Sequence, residues 1–257
     1  MVSSRKETDR VRTFWDRLAV YGPERSVIDP RDRLGRKTAY IRQLIFAALE
    51  RGLANLPKDS LVLDFGCGTG QNFPLLSRLD HRPVGLDISF PLLLHSPARE
   101  NGRDILRIQY DGKRVPLRTN RLDAIISYVV FNYIVDDEDL VDLSRELNRV
   151  LKPGHLLFVI EQTRRKDTLV EDGIKRQRSR DGFQDLLRQA GFLVRSASIL
   201  RRGHFPLIYM IRYGLLPQKL FAAVAGLESL LGRVCSTQVL DYAETLFVFE
   251  KCGAEWM

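Results

Sequence analysis

The sequence has few cysteines, and no pattern links them. Cys67, Cys235 and Cys252 are the only three in 257 residues, they show no CxxC spacing, and their odd number leaves one thiol over. This argues against a disulfide framework and a structural zinc site, and it is typical of a reducing compartment. No His-rich or carboxylate cluster indicates a catalytic metal. We therefore expect no metal and a cytoplasmic location.

Long apolar segments are also missing. The N-terminal stretch MVSSRKETDRVRTFWDRL is charged throughout and lacks the apolar core of a secretory signal. The longest apolar segment, Phe205 to Gly232, is interrupted by Arg212, Lys219 and Glu228. No segment therefore reaches the ~18 apolar residues that a membrane-spanning helix needs.

Acidic residues are outnumbered by basic ones. The chain has 32 Asp and Glu against 40 Lys and Arg, which gives a formal net charge of +8. This excess favours acidic partners, such as nucleic acid, anionic lipid headgroups or phosphorylated substrates. It is equally consistent with a solvated basic surface, so the composition leaves both interpretations open.

What the sequence does have is a regular alternation of strand and helix patterns. The predicted helices are Asp9–Leu18, Lys37–Leu53, Gln71–Leu79, a stretch from about Pro91, a helix from Asp137 that stops at Lys152–Gly154, and Gly182–Gly191. The predicted strands are Leu61–Gly66, Pro83–Ser89, one within Asp104–Gly112, Leu122–Val130, His155–Gln162, Leu193–Leu200 and Glu244–Lys251.

This alternation predicts an α/β fold with a doubly wound, Rossmann-like sheet. We expect seven strands, mostly parallel with an antiparallel last strand, and helices on both faces. We also expect a single domain over residues 1–257. It has an N-terminal helical cap at about 1–57 and an inserted unit at about 201–242 on the substrate side.

The most informative stretch is LVLDFGCGTGQN, Leu61 to Asn72, in which three glycines follow a buried strand at alternate positions. Glycine allows positive φ angles and close approach of a ligand to the backbone, and the start of the next helix offers free N–H groups. Asp87 ends the next strand about twenty residues later, where a carboxylate can bind ribose hydroxyls. The stretch therefore predicts a nucleoside site.

The glycine spacing is G-x-G-x-G rather than the G-x-G-x-x-G of dinucleotide folds, and Asp64 precedes the first glycine by two residues. A carboxylate there would repel a pyrophosphate but suits a ligand with an ammonium or sulfonium group. This indicates S-adenosylmethionine. The alternative for Asp64 is a carboxylate that only caps the loop.

At this point the sequence resembles the class I S-adenosylmethionine-dependent methyltransferases, in the methyltransferase type 11 group. The segments VLDFGCGTG, GLDIS, YDGKRVPL and RELNRVLKPG carry the resemblance, which covers about Leu61 to Gln162. His155 departs from the pattern, which usually has a second glycine there. The resemblance implies a methyltransferase with S-adenosyl-L-methionine as its cofactor.

The resemblance also implies which residues bind the cofactor. Gly66, Gly68 and Gly70 are expected to pack against its methionine and ribose parts, with Cys67 and Asn72 in the same loop. Asp64 is expected to orient the loop and, usually through water, the amino group. Asp87 is expected to bind the ribose, Ile88 to pack on the adenine, and Asp111 or Gly112 to reach the adenine edge. Tyr128 falls where relatives contact the methionine carboxylate.

Two alternative interpretations stay open for these residues. Cys67 would be a small buried filler, and Asp111 would be a plain turn residue.

The acceptor side has weaker signals, because methyl transfer requires alignment more than a fixed catalytic motif. The candidates for a catalytic role are His204, Glu161 and Tyr133, and Asn132 beside Tyr133 is a further acceptor-side candidate. Tyr40 and Lys37 are candidates for contacts with the cofactor carboxylate. A surface histidine is the alternative for His204, and a strand-end cap is the alternative for Glu161. No (D/N/S)-P-P-(Y/F) tetrad follows the fourth strand, where the sequence is VVFNYI.

The inserted unit mixes apolar and basic residues. This combination suits a surface that meets lipid headgroups and acyl chains, a lid over the substrate, or a homodimer interface. We therefore predict O-methylation of a small-molecule, saccharide or lipid-linked acceptor. Peripheral contact with the inner face of the membrane through residues 201–232 stays open beside the lid and the homodimer interface. One alternative is an RNA methyltransferase that uses the basic stretch 164–180; that stretch has no aromatic residue for base stacking before Phe183. A second alternative is a regulator that binds S-adenosylmethionine without transferring its methyl group.

Overall fold

Helices and strands alternate along the chain much as the sequence pattern predicts. The computed structural model describes residues 2–26, 32–203, 205–234 and 241–252, without the side chains of residues 2–5, 25 and 229–234. The helices are α1 (Val2–Ala19), α2 (Gly22–Arg25), α3 (Arg36–Leu53), α4 (Phe73–Arg78), α5 (Phe90–His95), α6 (Asp137–Val150), α7 (Arg180–Gln189), α8 (Pro206–Arg212) and α9 (Phe221–Val234). The strands are β1 (Leu61–Phe65), β2 (Arg82–Asp87), β3 (Arg99–Glu100), β4 (Arg103–Asp104), β5 (Leu106–Gln109), β6 (Leu122–Tyr128), β7 (Leu151–Thr163), β8 (Thr168–Val170), β9 (Lys175–Gln177), β10 (Phe192–Arg202) and β11 (Ala243–Lys251).

Seven of these strands form one sheet in the order β10–β11–β7–β6–β1–β2–β5. Strand β11 runs antiparallel to both of its neighbours, and the other pairings are parallel. The predicted fold class, a mostly parallel seven-stranded sheet with an antiparallel last strand, is confirmed. Two short hairpins, β3–β4 and β8–β9, lie outside this sheet.

Each face of the sheet is covered by its own apolar layer. Successive strand residues point to opposite faces, so Leu63 and Phe65 pack in one layer while Val62 packs in the other. The first layer includes Leu140, Leu143 and Leu147 of α6 and Phe183 and Leu187 of α7. The second includes Ile45, Leu49 and Leu53 of α3 and Leu75 and Leu76 of α4. Both faces of the central strands are therefore buried, as their near-continuous apolar sequences require.

Helix α6 shows how local sequence sets an element's bounds. The side chain of Asp136 caps its start by accepting hydrogen bonds from the backbone N–H groups of Glu138 and Asp139. The helix ends at Val150, and β7 begins at once with Leu151. The Lys152–Gly154 stretch predicted as a stop between helix and strand is therefore the beginning of the long strand β7.

The inserted unit packs on α3 through a small separate core. Phe205, Ile208 and Ile211 at α8 and Phe221 and Val224 of α9 surround Tyr40 of α3. Among the described residues, no helix is both long enough and apolar enough to cross a membrane.

The carboxyl ends of β1, β2 and β6 meet at one edge of the sheet, where open α/β folds bind ligands. Helix α1 lies across this edge. Ser89 donates a hydrogen bond to Asp16 of α1 (2.6 Å), and Arg12 of α1 donates one to the backbone oxygen of Asp111 (3.3 Å). These contacts make α1 one wall of the cleft.

Candidate functional site

A large cleft opens between this edge of the sheet, α1 and the inserted unit. Its volume is ≈ 2450 Å³, and its lining includes Gly66, Asp87 and Tyr128 from the sheet edge, Trp15 from α1, and Tyr209 from α8. Pockets for a single small ligand are usually about 300–1,000 Å³. The cleft therefore has room for two ligands side by side.

The loop after β1 forms the floor of the cleft, where Gly66 and Gly68 line it and Gly70 does not. Gly66, Gly68 and Gly70 have positive φ angles of 72°, 52° and 76°. A Cβ on Gly66 would lie 2.2 Å from Cγ2 of Val130. Glycine is required at position 66 both by the backbone conformation and by the lack of space.

Asp64 lies beneath this loop and is almost fully buried. Its Oδ1 accepts a hydrogen bond from the side-chain amide of Asn72 (3.0 Å), whereas its Oδ2 has no hydrogen-bond partner. Burial, followed by the nearby charge of Asp87, raises the pKa of Asp64 to about 7. A buried carboxylate oxygen without a donor is costly. Asp64 itself does not line the cleft, whereas Asn72, which donates to it, does. A ligand ammonium group, or a water that bridges to one, would satisfy the unpaired oxygen.

Asp87, the last residue of β2, supports the same loop. Its Oδ2 accepts the backbone N–H of Gly68, and its Oδ1 accepts that of Ser89, both at 2.8 Å. Burial raises the pKa of Asp87 to about 6. Each carboxylate oxygen has a second lone pair, so the side chain can still accept hydroxyl groups. Ile88 follows directly and lines the cleft.

Of the two candidates for the adenine edge, Gly112 lines the cleft and Asp111 does not. The Asp111 carboxylate instead closes a turn by accepting the backbone N–H groups of Lys113 and Arg114, each at 2.8 Å. A Cβ on Gly112 would lie 2.4 Å from Cγ2 of Thr8, so α1 approaches the backbone closely here. The geometry places Asp111 in the role of a turn residue.

Cys67 and Tyr128 occupy different parts of the cleft wall. Cys67 is buried against Phe73, Leu93 and Ile105, and burial raises the pKa of its thiol. This is the environment of an apolar filler, because a reactive cysteine needs a lowered pKa. Tyr128, the last residue of β6, lies near the charged side chains of Arg201 and Glu244.

Glu161 lies behind the turn that follows β6 rather than on the cleft wall. Its Oε1 accepts the backbone N–H groups of Val130 (2.7 Å) and Phe131 (2.8 Å), and its Oε2 is buried without a partner. Burial raises the pKa of Glu161 to about 7. Within this turn Val129 has a φ of 53°, which is rare for a β-branched residue. Glu161 therefore holds a strained turn whose Val130 side chain packs over Gly66.

Tyr133 lines the cleft within an aromatic group that the sequence did not reveal. Its ring lies 5.1 Å from that of Trp15 and 6.1 Å from that of Phe14, both on α1. Its hydroxyl donates to Glu171 (3.1 Å), and burial raises its pKa, so the phenol is protonated at neutral pH. The adjacent aromatic residues Phe14 and Trp15 in the charged N-terminal helix are the sequence feature from which this contact could have been predicted.

The other acceptor-side candidates are dispersed. Asn132 is buried and donates to the backbone oxygen of Gln162 (2.9 Å). Tyr40 is buried away from the cleft and donates to Glu228 of α9 (2.8 Å), whereas Lys37 lines the cleft. His204 lies outside the described residues.

The cleft wall also carries a polar patch that the sequence pattern does not predict. It contains Tyr128, Gln162, Arg201, Tyr242 and Glu244, which come together because β10 and β11 pair beside β7. Arg201 Nη1 donates to Glu244 (3.3 Å), and both side chains are buried. The patch extends along the chain from Tyr128 to Glu244, so the sheet order brings its members together. The described residues contain no cluster of His, Cys, Asp or Glu placed to hold a metal ion.

The basic stretch 164–180 mostly contacts the protein itself. Arg178 is 1% exposed and donates to Asp137 and to the backbone oxygens of Phe131, Ile134 and Val135. Lys175 pairs with Glu171 (3.2 Å), and Arg176 pairs with Asp137 (3.2 Å) and Asp167 (2.9 Å). In this stretch only Arg165, Lys166 and Arg180 are exposed bases.

Comparison with known proteins finds similarity to methyltransferases. Residues 63–159 match the family model described as a methyltransferase domain. The chain is 36% identical over 113 residues to a malonyl-[acyl-carrier protein] O-methyltransferase of Marinomonas sp. (strain MWYL1), which covers 41% of this chain and 40% of that protein. It is 32% identical over 107 residues to a tRNA (carboxymethyluridine(34)-5-O)-methyltransferase of Arabidopsis thaliana, which covers 42% of this chain and 25% of that protein. The chain thus matches less than half the length of either relative.

Solved structures extend the similarity in fold. A phosphoethanolamine N-methyltransferase 2 of Haemonchus contortus, solved in complex with S-adenosyl-L-methionine, has a TM-score of 0.61 at 18% identity over 88% of this chain and 60% of that chain. The cyclase SpnF has a TM-score of 0.62 at 22% identity over 82% of this chain and 81% of that chain. At these identities the likeness concerns the fold alone, which hosts more than one chemistry.

Proposed function

We propose that this chain, whose residues 63–159 form a class I S-adenosylmethionine-dependent methyltransferase domain, transfers a methyl group to a hydroxyl group of a small-molecule, saccharide or lipid-linked acceptor. The observation that carries the proposal is the unpaired Oδ2 of Asp64 beneath the glycine loop, with Asp87 at the end of the neighbouring strand. These two carboxylates and the loop between them match the charges and hydroxyl groups of S-adenosylmethionine.

The residues present fit this cofactor. Asp64 offers a buried oxygen to an ammonium group, Asp87 offers lone pairs to ribose hydroxyls, and the apolar side chain of Ile88 offers a face to a purine. The positive φ angles at Gly66 and Gly68 let the backbone lie against a ligand. When bound, the cofactor supplies a methyl group on a sulfonium, which is a good leaving group. The protein's main task is then to align the acceptor with that methyl group.

The rest of the cleft supports the choice of acceptor. One wall carries the polar patch of Tyr128, Gln162, Arg201, Tyr242 and Glu244, which suits a ligand with several hydroxyl groups. The other wall carries Ile208 and Tyr209 of α8, which suit an apolar portion of the same ligand. A molecule with a polar end and an apolar end would contact both walls.

RNA is the second candidate acceptor, and the names of several relatives favour it. Besides the Arabidopsis protein, an 18S rRNA (guanine(1575)-N(7))-methyltransferase of Saccharomyces cerevisiae matches 51% of this chain at 32% identity. Against RNA, most basic residues in 164–180 form internal ion pairs or are buried, whereas a groove that binds the RNA backbone needs exposed ones.

A regulator that binds the cofactor without transferring its methyl group is the third candidate. The result that would distinguish it is cofactor binding without any labelled product.

The experiment is methyl transfer from tritiated S-adenosylmethionine into extracts of the source cell, counted separately in organic-soluble, saccharide and RNA fractions. Label in the organic or saccharide fraction supports the proposal, and label in RNA contradicts it. The loss-of-function control is Asp64→Asn, which removes the charge and keeps the shape. The matched control is Asp123→Asn, because Asp123 lies at the other end of the sheet and accepts the backbone N–H of Leu61 (2.8 Å).

The RNA outcome has its own test. If RNA is labelled, replacing the exposed bases Arg165, Lys166 and Arg180 with Glu should reduce the transfer, because a phosphate-binding groove needs exposed positive charges. If cofactor binding is undetectable by calorimetry in the wild-type chain, all three candidate functions fail together.

A further inference from the structure

Helix α8 is apolar on both of its sides, although only one side is buried. Ile208 and Ile211 pack inward against the Tyr40 region of α3. Tyr209 and Met210 on the same helix face outward, as do Tyr213 and Leu215 in the loop that follows, and the last two are 65% and 67% exposed. A helix that is apolar all round is normally buried, so a binding partner is expected on the outer side.

The exposed charges in this part of the chain are basic. From Arg201 to Leu227 the sequence has Arg201, Arg202, Arg212 and Lys219 and no Asp or Glu. Arg201 is buried and paired with Glu244, so it adds no charge to the surface. The guanidinium of Arg212 lies 5.6 Å from the ring centre of Tyr213, so a basic group stands directly at the apolar surface. Lys219 is exposed in the turn before α9. The electrostatic complement of this surface is negative.

We infer that this α8 surface, formed by Tyr209, Met210, Tyr213, Leu215 and Leu220 with Arg212 and Lys219, binds the face of a bilayer that contains anionic lipids. Tyrosine and leucine side chains enter the boundary between headgroups and acyl chains, while basic groups stay with the phosphates. Each basic residue near an anionic membrane adds to the attraction, which falls off within a Debye length.

The α8 surface is continuous with the mouth of the cleft. Ile208, Tyr209 and Arg212 line the same cleft as Gly66 and Asp87. A bilayer held against α8 would therefore present its lipids at the cleft opening. The surface thus deepens the proposed function, on which this part of the inference rests: it names a lipid or lipid-linked molecule, met at the membrane, as the acceptor.

Hydrogen bonds attach the unit that contains α8 to α3 and so hold the surface in place. Arg36 of α3 donates a hydrogen bond to the backbone oxygen of Leu216 (2.5 Å), which fixes the loop after α8. Tyr40 donates to Glu228 and thereby joins α3 to α9. A rigid surface avoids part of the ordering cost that a flexible segment incurs on binding.

The experiment is flotation of the purified full chain with vesicles of phosphatidylcholine alone or of phosphatidylcholine with phosphatidylglycerol, in the absence of cofactor. We expect binding to the anionic vesicles, weakened by high salt, and little binding to the neutral ones. The double variant Tyr213→Ser and Leu215→Ser should reduce the binding about tenfold or more. Lys219→Glu should reduce it with the largest effect at low salt.

The matched control is Leu94→Ser, because Leu94 is also 65% exposed but lies on α5, away from the α8 surface. It should bind vesicles like the wild type. Equal binding to neutral and anionic vesicles, or loss of binding in the Leu94 variant alone, would overturn the inference. So would concentration-dependent dimerisation that the Tyr213 and Leu215 substitutions abolish, because a second copy of the chain would then cover the surface.

Cofactor binding is measured by calorimetry on the same proteins. Intact binding of S-adenosylmethionine without any vesicle binding would overturn the membrane inference and leave the proposed function in place. Vesicle binding without cofactor binding would overturn the proposed function and leave the membrane inference in place.

Discussion

The side chain of Glu161 accepts the backbone N–H of Val130 at 2.7 Å and so ties the end of β7 to the turn that follows β6. The next residue, Phe131, donates to the same oxygen (2.8 Å). The methyl groups of Val130 fill the space beside Gly66 that a side chain would otherwise occupy. Glu161 thus holds, through backbone hydrogen bonds, the turn that packs against the glycine loop.

The first prediction concerns Glu161→Gln and the pH dependence of stability. Burial raises the pKa of Glu161 from 4.5 to about 7, so the folded state holds a proton that the unfolded state releases. The free energy of unfolding of the wild type should therefore fall between pH 4.5 and 7, by up to about 3 kcal/mol from this group. Glutamine can still accept both N–H groups and does not titrate. The variant should gain stability relative to the wild type as the pH rises.

Urea unfolding between pH 5 and 8 measures this difference. Glu138→Gln is the control, because Glu138 is an exposed carboxylate in the first turn of α6. Its stability curve should run parallel to that of the wild type. A parallel curve for Glu161→Gln would mean that the carboxyl group titrates normally.

The second prediction concerns Asp64 and the affinity for S-adenosylmethionine. With a pKa of about 7 in the free protein, Asp64 is mostly protonated at pH 6 and must lose its proton to bind an ammonium group. Wild-type affinity should rise roughly tenfold from pH 6 to 8 relative to that of Asp64→Asn, which does not titrate. Calorimetry on both proteins provides the ratio, in which titration of the ligand itself cancels. A ratio of affinities that is constant with pH would mean that Asp64 does not bind the ammonium group.

The third prediction separates two reasons for glycine at position 66. Gly66→Ala introduces a Cβ at a φ of 72° and 2.2 Å from Val130 Cγ2. Gly102→Ala introduces one at a φ of 76° with nothing within 4 Å. Gly102→Ala should cost about 1 kcal/mol for the backbone strain alone, and Gly66→Ala should cost more in chemical unfolding. Adding Val130→Ala to Gly66→Ala should recover part of the difference, and no recovery would show that the clash is relieved elsewhere.

The fourth prediction concerns Tyr40, which donates to Glu228 inside the core between α3 and α9. Tyr40→Phe leaves a buried carboxylate oxygen without this donor and should destabilise the chain by about 1–3 kcal/mol. Affinity for S-adenosylmethionine should not change, because Tyr40 does not line the cleft. Tyr213→Phe is the control, since Tyr213 is 65% exposed and, like Tyr40, does not line the cleft. A weakened affinity with unchanged stability would instead support a contact with the cofactor.

The fifth prediction concerns Arg178, whose guanidinium is buried and bonded to Asp137 and three backbone oxygens. Arg178→Ala should destabilise the chain by about 3–5 kcal/mol, because it leaves these acceptors unpaired. Arg165→Ala, at an exposed position in the same stretch, should have little effect on the unfolding midpoint. Equal and small effects of both variants would mean that the stretch is a solvated surface.

The sequence by itself determined the fold class and the glycine loop after β1. Period-2 and period-3.6 patterns, the glycines at 66, 68 and 70 and the acidic strand end at Asp87 depend on neighbours within a few residues, so they can be identified without tertiary contacts. The fold class is confirmed, and the family resemblance is confirmed over residues 63–159.

Only the tertiary structure decided what the long-range partners do. The burial of Arg178, the hydrogen bond between Tyr40 and Glu228 and the contact of Tyr133 with Trp15 join residues more than 40 positions apart. A basic stretch that looks like a phosphate-binding surface in sequence is paired internally because α6 brings Asp137 beside it. Charge along a chain is local information, whereas the partner of each charge depends on how the chain folds back on itself.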